Sequence, residues 1–449
     1  MKPYNNHEED LREAFIGGDV PVAVYGLGKM GLPLAAVYAD VCGSVTGVDI
    51  DETIVESVSA GTAHVDGEPG LDQLVQRTVE AGELSATTDG QHAAATASIH
   101  VIIVPTLVTD DNEPDLSVVA SVVSDIAAGL DPGDVVVIES TVPPQTCREV
   151  VEPLLAEESG LDVDEFGVAF CPERTSSGRA IEDIRGAYQK VVGGSDPEAT
   201  RVARIVYEAI NDAGVVSVSD ATTAEAVKVF EGVYRDVNIA LANELAKLAD
   251  DLEIDVLEAI EVANTLPMCD IHTPGAGVGG HCIPYYPYFL INQFDGPTPL
   301  IETARNVNDS MPEFVTEKLI DGLTERNTAL SDATVVVLGL TYRAGVAELR
   351  HAPSIPIVER LVTQNAEVFV VDPVLEDFSA FNGATPVEQS EIYGADPDAV
   401  VLVTGHDEFE SIDWDGFDRS LVVVDGRQAL DLAETDHWVY TIGRGRNVQ

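Results

Sequence analysis

Cys282 lies in a segment whose composition favours an accessible thiol. It stands in "GVGGHCIP", and the wider stretch 273–289 is so rich in glycine and proline that it predicts a loop close to a ligand. Most cysteines in a reducing compartment are buried small apolar residues, and the other four cysteines are predicted in helices and strands. The glycines beside Cys282 keep its sulfur accessible. The sequence therefore predicts Cys282 as a nucleophile.

Lys228 is the second candidate for chemistry, in a chain with only six lysines. It stands among apolar residues in the stretch 215–264, where apolar residues recur at helical spacing and Gly232 is the only glycine or proline. This pattern predicts a long helix followed by a second helix. A surface lysine with a buried stem is the alternative. We favour a cation that stabilises an oxyanion or lowers the pKa of a thiol.

Gly26, Gly28 and Gly31 form a GxGxxG pattern directly after the β-branched run "PVAVYG". A helix-like stretch follows, and a second predicted strand ends at Asp49, 23 residues after Gly26. Such glycines permit a tight turn and let the amino end of a helix meet a pyrophosphate. An acid at position 49 would bind ribose hydroxyls and repel a 2′-phosphate. The pattern predicts NAD rather than NADP, with a purely structural turn as the alternative.

Alternating strands and helices predict the fold. "IHVIIVPT" (99–106) and "GDVVVIESTVPP" (133–144) continue the first alternation, and "DATVVVLGLTYRAG" (332–345) opens a second, followed by "AEVFVVDP", "DAVVLVTGHDEF" and "SLVVVDGR". The predicted fold class is α/β, with two Rossmann-like doubly wound domains joined by a central helical domain. The expected domains are NAD-binding 1–214, central 215–312 and substrate-binding 313–449.

Composition limits the classes of function. The 449 residues include 78 acidic and 24 basic side chains, a formal net charge of -54, and 45% are hydrophobic. Such a chain is globular but repels nucleic acid and anionic membranes, so neither is an expected partner. The scattered carboxylates are typical of a salt-adapted, halophilic surface. Five cysteines without a CxxC pair predict no metal site and no disulfide framework, and the absence of an apolar leader predicts a cytoplasmic protein.

Eleven segments, in order along the chain, resemble the UDP-sugar 6-dehydrogenases, which are NAD-dependent oxidoreductases. The segments are "YGLGKMGLPLA", "GVDID", "EPGLDQL", "IIVPT", "PDLS", "ESTVPPQT", "CPER", "RDVNIALANELA", "PGAGVGGHCIP", "VLGLTYRAGVAELRHAPS" and "VVDGR". The resemblance implies oxidation of the 6-hydroxymethyl group of a UDP-hexose to a carboxylate with two NAD. It also implies a homodimer formed through the middle helices.

Two signatures of the family distinguish its substrates. UDP-glucose enzymes typically have "NPEF" and "GGSC" where UDP-N-acetylhexosamine enzymes have "SPER" and "GGHC", and this chain has "CPER" and "GGHC". The resemblance thus implies a UDP-N-acetylhexosamine, with UDP-N-acetyl-D-mannosamine expected first, for surface polysaccharide or glycan synthesis. UDP-glucose remains an alternative substrate. A catalytically idle protein that binds NAD or a UDP-sugar is the alternative from a different class.

The resemblance also implies roles for individual residues. Cys282 would capture the aldehyde as a thiohemiacetal, Lys228 would hold the oxyanion, and Glu173 and Thr141 would position water and protons. His281 would either tune the thiol or contact the substrate. The expected cofactor-binding residues are Gly26, Gly28, Lys29, Met30, Gly31, Asp49, Pro105, Thr106 and Thr141. The expected substrate-binding residues are Arg174, Thr175, Lys228, Arg235, His281, Tyr342, Arg343 and Arg427.

Among the arginines, Arg343 and Arg235 are the strongest candidates for binding the UDP dianion, and Arg350 is expected in a structural ion pair. The chain departs from the family at Gly232, usually Asn, and at Tyr286, usually Asp. The stretch 264–268 also lacks the His and Arg common in the N-acetyl branch. Tyrosine, with a pKa near 10, is a poorer base than a carboxylate. We therefore expect thioester hydrolysis to depend more on Glu173.

Overall fold

The structure of the protein is a computed structural model. It describes residues 1–109, 111–294, 296–432 and 434–446. The chain divides into two compact units, each with its own sheet. The first comprises Met1–Glu231 and Tyr288–Phe294, and the second comprises Gly232–Pro287 and Asp295–Gln449.

Short runs of valine, isoleucine and alanine build the first sheet, because β-branched residues pack well on a pleated surface. The strands of this unit are β1 Val22–Tyr25, β2 Val45–Val48, β3 Leu84–Thr87, β4 Ile99–Ile102, β5 Leu107–Val108, β6 Pro114–Asp115, β7 Val135–Ile138, β8 Gly167–Phe170, β9 Lys190–Gly194 and β10 Val215–Ser217. In the described part of the unit, eight of them pair in the order β10-β9-β8-β7-β4-β1-β2-β3, while β5 and β6 form a separate hairpin.

Both faces of the first sheet are buried, as expected for a mainly parallel sheet. Val22 and Val24 belong to one apolar cluster, whereas Ala23 and Tyr25 belong to the cluster on the opposite face. The helices that cover these faces include α1 Glu8–Ile16, α2 Gly31–Cys42, α3 Glu52–Ser59, α4 Leu71–Glu80, α5 Gly90–Thr96, α6 Ser117–Ala127, α7 Glu152–Ser159, α8 Ala180–Glu182 and α9 Pro197–Ile210.

The middle of the sequence is helical, as the apolar periodicity predicted. Helix α10 runs from Ala221 to Lys247, and it is followed by α11 Ala249–Leu252, α12 Val256–Ala263, α13 Tyr288–Ile291, α14 Pro299–Asp309 and α15 Met311–Glu325. The glycine-rich stretch from 273 to 287 contains no helix or strand, so the predicted loop is confirmed up to the start of α13. No helix among the described residues combines the length and apolar character needed to cross a bilayer.

The second sheet lies wholly in the second unit. Its strands are β11 Thr334–Leu338, β12 Glu367–Val371, β13 Thr385–Pro386, β14 Ala399–Leu402, β15 Val422–Asp425, β16 Trp438–Thr441 and β17 Gly445–Arg446, in the order β13-β12-β11-β14-β15-β16-β17 within the described residues. Helix α15 and helix α16 Ser354–Thr363 cover one face, while short 3₁₀ turns at Asp407–Ser411 and Trp414–Gly416 help to cover the other. The predicted fold class is confirmed.

Some pairings were not expected from the sequence. β9 lies antiparallel to β8, and β17 lies antiparallel to β16, whereas the sequence predicted doubly wound domains and named no strand at either position. Doubly wound sheets often carry an antiparallel pair at one side. The connection from β16 to β17 is only residues 442–444, and so short a connection can join antiparallel strands but not parallel ones. The boundaries at 214/215 and 312/313 stay predictions.

Candidate active site

The predicted cofactor residues of the first unit lie at the carboxyl edge of its sheet. Gly26, Asp49, Val104 and Ser140 follow the carboxyl ends of β1, β2, β4 and β7. β1 lies between β2 and β4, so successive strands extend in opposite directions from this point, which is where doubly wound sheets bind ligands. The Ser140 hydroxyl accepts a hydrogen bond from the Val104 N–H and donates one to the Val104 carbonyl, both at 2.8 Å. These bonds hold two strand ends together beside the turn.

The three glycines of the turn have different physical roles. Gly26 has φ 97°, and a Cβ there would lie 2.4 Å from the Ile103 carbonyl oxygen. A Cβ at Gly31 would lie 1.9 Å from the Gly26 oxygen, whereas a Cβ at Gly28 would meet nothing within 4 Å. The first and third glycines are therefore required by the fold. The space at Gly28 is open for the close approach of a ligand.

Helix α2 begins at Gly31 without a side-chain cap and without an acidic residue in its first turn. In a chain of net charge -54 this leaves an unneutralised helix dipole facing the turn. Together with the open space at Gly28, it fits the pyrophosphate of a dinucleotide.

Asp49 is half-buried and holds the glycine turn in place. Its Oδ2 accepts a hydrogen bond from the Leu27 N–H at 2.8 Å, and its Oδ1 accepts one from the Asp51 N–H at 3.0 Å. A carboxylate has further lone pairs beyond these two bonds. Asp49 therefore holds the turn and keeps lone pairs for a ligand, and its binding of ribose hydroxyls stays a prediction.

The remaining predicted cofactor residues lie around the same edge. Lys29 and Pro105 are exposed, and Thr141 is half-buried directly after Ser140. The Thr106 hydroxyl is buried without a hydrogen-bond partner among the described residues. Since buried hydroxyls normally have a partner, a bound cofactor is a suitable one. The residues of this edge thus fit a dinucleotide.

Lys228 and Glu173 lie together in the first unit, and the structure excludes a freely exposed lysine. The Lys228 side chain is only 12% exposed, and its ammonium donates to the Glu173 carbonyl oxygen and lies 3.6 Å from the Glu173 Oε2. Glu173 Oε1 accepts hydrogen bonds from the N–H and hydroxyl of Thr175. The Thr175 hydroxyl also lies 2.9 Å from the Met30 sulfur. Four predicted residues therefore form one cluster at the carboxyl end of β8.

Arg174 points to a different partner within this unit. Its guanidinium lies 2.7 Å from Glu231 on α10 and donates to the Gln189 carbonyl oxygen at 3.3 Å. Glu231 had no predicted role. The pair anchors the "CPER" segment to α10, and substrate binding by Arg174 remains a prediction.

In the second unit, Cys282 lies in the glycine-rich loop and is partly exposed. A hydrogen bond to Cys282 raises the pKa of the neighbouring His281, and the charge of Glu348 acts in the same direction. An imidazolium beside a thiol favours the thiolate. The expectation for the other cysteines was wrong in part, because Cys171 and Cys269 lie outside helices and strands. Burial raises the pKa of the Cys171 thiol, and Cys171 is buried whereas Cys282 is partly exposed.

Tyr342 packs against the thiol loop. A Cβ at Gly279 would lie 2.6 Å from the Tyr342 Cβ, and one at Gly280 would lie 3.0 Å from its ring. These glycines are therefore needed for the loop to lie against Tyr342. The adjacent glycines at 279 and 280 were the only feature of the sequence that could have indicated this close contact.

The predicted arginines of the second unit differ in their surroundings. Arg235 and Arg343 are exposed and make no ion pair with any described residue, which leaves both cations available. Arg350 pairs with Glu348 at 3.6 Å, as expected of a structural arginine. Arg427 donates to the carbonyl oxygens of Val403 and Gly277, at 2.9 and 3.2 Å. It therefore braces the loop, and its binding of substrate remains a prediction.

The two departures from the family pattern contact each other. A Cβ at Gly232 would lie 2.1 Å from Cδ2 of the Tyr286 ring and 3.1 Å from its Cβ. Tyr286 is buried, and its N–H donates to the Cys282 carbonyl oxygen at 3.0 Å. The aromatic ring thus occupies the space of a side chain at position 232. The glycine at position 232 and the tyrosine at position 286 therefore depend on each other, and the two departures from the family pattern count as one structural change.

A buried polar network that the sequence did not reveal supports the loop. Arg305 pairs with Asp236 at 2.5 Å, and Asn308 donates to the same carboxylate at 2.8 Å. Asn243 donates to Asn308 at 2.8 Å and accepts from the Gly275 N–H at 2.9 Å. Burial raises the pKa of Asp236 to about 6, although Arg305 opposes this shift. In the sequence these residues were ordinary polar positions of helices.

The first unit is a dinucleotide-binding domain with an amine and a carboxylate at its ligand edge, and the second carries a thiol loop. A dinucleotide-binding domain of this kind is typical of an NAD-dependent oxidoreductase. Three models of the UDP-glucose/GDP-mannose dehydrogenase family match the chain, namely the NAD binding domain at 20–211, the central domain at 222–310 and the UDP binding domain at 336–432. The chain belongs to this family of NAD-dependent nucleotide-sugar dehydrogenases, its cofactor is NAD, and its substrate is a UDP-sugar.

Relatives support the assignment over nearly the whole length. A UDP-N-acetyl-D-mannosamine dehydrogenase of Pyrococcus horikoshii is 36% identical over 431 residues, which cover 94% of this chain and 99% of the relative. The solved structure of the UDP-D-ManNAc dehydrogenase from that organism matches with a TM-score of 0.86 at 34% identity, covering 95% and 100% of the two chains. An NDP-N-acetyl-D-galactosaminuronic acid dehydrogenase of Ralstonia nicotianae is 36% identical over 414 residues, covering 90% and 95%.

A solved UDP-glucose dehydrogenase is also similar in fold. The enzyme of Pyrobaculum islandicum matches with a TM-score of 0.82 at 28% identity, covering 93% of this chain and 96% of that one. The fold is therefore shared by enzymes whose names specify different sugars.

Proposed function

We propose that the protein oxidises the C6 hydroxymethyl group of a UDP-N-acetylhexosamine, first of all UDP-N-acetyl-D-mannosamine, to the uronate for surface polysaccharide or glycan synthesis. The observation that carries the proposal is the hydrogen-bonded His281 and Cys282 pair within "GGHC". The same tetrapeptide resembles that of the N-acetyl branch of the family, which supports this class of substrate. The relatives named for N-acetylated sugars support the same choice of substrate.

Cys282 is the nucleophile of the proposed reaction. NAD, when bound, accepts a hydride in each of two oxidations, so one sugar reduces two NAD. The Cys282 sulfur adds to the aldehyde carbon of the first product, and the thiohemiacetal keeps this reactive intermediate covalently bound. The second oxidation converts the thiohemiacetal to a thioester. Water then attacks the carbonyl carbon, the carbon–sulfur bond breaks, and the thiol and carboxylate are released.

In the proposed reaction, Lys228 supplies a positive charge that stabilises the oxyanion, and Glu173 acts as the general base. The Lys228 ammonium is nearly buried, so its interaction with an oxyanion is weakly screened by solvent. Glu173 accepts a proton from the attacking water, and Thr141 orients that water. A tyrosine is a poorer base than a carboxylate at neutral pH, so Tyr286 is a weaker candidate than Glu173 for this role.

A panel of UDP-sugars with NADH counting tests the function. UDP-N-acetyl-D-mannosamine should give about two NADH per sugar and the uronate, with lower kcat/KM for UDP-glucose. Cys282→Ala should lose formation of the acid. Formation of acid by Cys282→Ala at the parent rate would refute the nucleophile, and binding of sugar without turnover would indicate the idle binding protein.

Glu173→Gln tests the hydrolysis step separately. We expect turnover to fall by about 10²- to 10⁴-fold, the usual contribution of a general base. Acyl-enzyme on Cys282 should then accumulate in intact-protein mass spectra. Unchanged turnover without an adduct would show that another group activates the water.

The proposed quaternary structure is a homodimer formed through the middle helices. Leu241, Leu252 and Val262 are 48%, 54% and 61% exposed on α10, α11 and α12. Exposed apolar side chains on neighbouring elements are typical of interfaces. Light scattering should give twice the chain mass, and Leu252→Glu should lower it. A monomer at micromolar concentration would contradict the proposal.

The surface charge further predicts a requirement for salt. Repulsion among carboxylates falls as the Debye length shortens from about 30 Å at 0.01 M to about 3 Å at 1 M salt. We expect the melting temperature to rise between dilute buffer and molar KCl. Equal melting temperatures would contradict a halophilic protein.

A further inference from the structure

Residues 342–351 of the second unit lie along the thiol loop. The Gly280 N–H donates to the Arg350 carbonyl oxygen at 2.8 Å, which fixes the backbone directly before His281. The Tyr342 N–H donates to the Glu348 carbonyl oxygen at 3.1 Å. These two bonds tie the position of Glu348 to that of the thiol loop.

The side chain of Glu348 faces His281. Its Oε1 lies 3.7 Å from the His281 Nδ1, and the Glu348 side chain is 24% exposed against 51% for His281. It is the only described carboxylate within ion-pair distance of this ring. Since His281 hydrogen-bonds Cys282, the three side chains form a continuous series from carboxylate to imidazole to thiol.

Other charges also face this series. The guanidinium of Arg350 lies 3.6 Å from the same Glu348 oxygen and opposes the cationic form of His281. The Tyr342 phenol and Arg343 lie on the same segment, and burial together with the charges of Glu348 and Cys282 raises the pKa of Tyr342. Tyr342 therefore stays neutral near pH 7. Glu348 supplies the negative charge near the Nδ1 atom of the imidazole.

We propose that Glu348 is a positioning residue that holds His281 as the imidazolium beside Cys282, so that the thiol is ionised before the aldehyde arrives. The proton leaves the Cys282 sulfur and is held on the His281 ring, and no electrons are transferred. The proposal rests on the nucleophilic role of Cys282 in the proposed function. Glu348 itself touches neither the sulfur nor a substrate in this account.

Alkylation of Cys282 by iodoacetamide tests the proposal without NAD or a sugar. A Cys269→Ser background leaves Cys282 as the one cysteine that is not buried. The rate is measured from pH 5.5 to 9 at one fixed KCl concentration, for the background protein and for Glu348→Gln. Exposed Glu376→Gln is the matched control, because it removes one negative charge elsewhere in the same unit.

Glu348→Gln should raise the pH midpoint of alkylation and slow the reaction at pH 7 by about 2- to 5-fold, as expected for a partly exposed ion pair. Glu376→Gln should leave the profile unchanged, and Glu348→Asp should restore part of the shift. A profile for Glu348→Gln equal to that of Glu376→Gln, or a faster reaction, would overturn the proposal.

Arg350→Gln provides an independent variant, should Glu348→Gln melt at a lower temperature than the background protein. Removing Arg350 relieves its opposition to the imidazolium, so alkylation at pH 7 should accelerate, and no change or a slower rate would count against the proposal. Turnover of Cys282→Ala distinguishes the two proposals. If that variant still forms acid, the proposed function fails whatever the alkylation profile shows.

Discussion

The sheets of the two α/β units share one arrangement of a glycine and an acidic residue, but the acidic residue has different surroundings in each. In each, the first strand ends at a glycine followed by leucine, at Gly26 and at Gly339, and an acid follows the second strand. Asp49 in the first unit accepts hydrogen bonds from two backbone N–H groups and is half-buried. Its counterpart in the second unit, Asp372, is buried, and its carboxylate is surrounded by hydrogen-bonding partners from the protein.

Asp372 accepts hydrogen bonds from the N–H groups of Leu340 and Thr341, at 2.7 and 3.0 Å, and lies 3.2 Å from the His406 ring. Burial alone would raise the pKa of Asp372, but the bonds from His406 and the backbone outweigh it and lower the pKa to about 2. Asp372 thus has a histidine as well as the turn backbone for a partner, whereas the hydrogen bonds of Asp49 to its turn leave lone pairs for a ligand. The topology of the sheet fixes the position of the acidic residue after the second strand. Whether its carboxylate can also bind a ligand depends on how many of its lone pairs are taken by other protein groups.

Gly31→Ala should have the largest effect, because its Cβ would lie 1.9 Å from a backbone oxygen that cannot move aside. We expect a loss of about 3 kcal/mol or more in the free energy of unfolding, together with loss of NAD binding. Gly28→Ala is the matched control and should weaken NAD binding without lowering the melting temperature. Calorimetry and NAD titration separate the two, and equal melting of both variants would remove the distinction between structural and ligand-facing glycines.

Asp372→Asn should cost about 2 kcal/mol at pH 7, from a pKa lowered from 3.8 to about 2. A carboxyl with a depressed pKa stabilises the folded state above its unfolded pKa. The difference between parent and variant should therefore be constant above about pH 5 and narrow as the pH falls below about 4. Denaturant unfolding at several pH values measures it. A difference that is independent of pH down to pH 3 would show that charge is not the cause.

Gly232→Ala should cost about 1 to 2 kcal/mol, because the atom that it meets belongs to a side chain that can shift. In a Tyr286→Ala background the same change should become stabilising by up to about 1 kcal/mol, since alanine is the better helix former. A double-mutant cycle by denaturant unfolding detects this reversal of sign. Additive effects would show that the two positions are independent.

Asp49→Asn should have the smallest effect on stability, below about 1 kcal/mol, because two backbone hydrogen bonds survive in part. NAD affinity should fall by about 10-fold, while discrimination against NADP narrows. Titration with both cofactors measures this. If Asp49→Asn lowers the free energy of unfolding as much as Asp372→Asn does, Asp49 has only a structural role in the turn. The two acidic residues would then not differ in function.

Much of the fold and part of the site were predictable because they follow from local patterns. The valine-rich runs, the periodicity over 215–264 and the glycine turn each depend on neighbouring residues, and the structure confirms the corresponding strands, helix and loop. The proximity of Glu173 to Lys228 was expected only through resemblance. Antiparallel β9 was missed, because strand direction depends on the connection and not on the strand sequence.

The sequence by itself determined the α/β class, the acidic surface, the NAD turn with Asp49 and the unusual setting of Cys282, since composition and spacing along the chain are sufficient for each. Only the tertiary structure decided that Glu348 faces His281 and that Tyr286 fills the space beside Gly232. Among 78 acidic residues, no local signal distinguishes the carboxylate that meets an imidazole. Such contacts join distant segments of the chain, and packing alone brings those segments together.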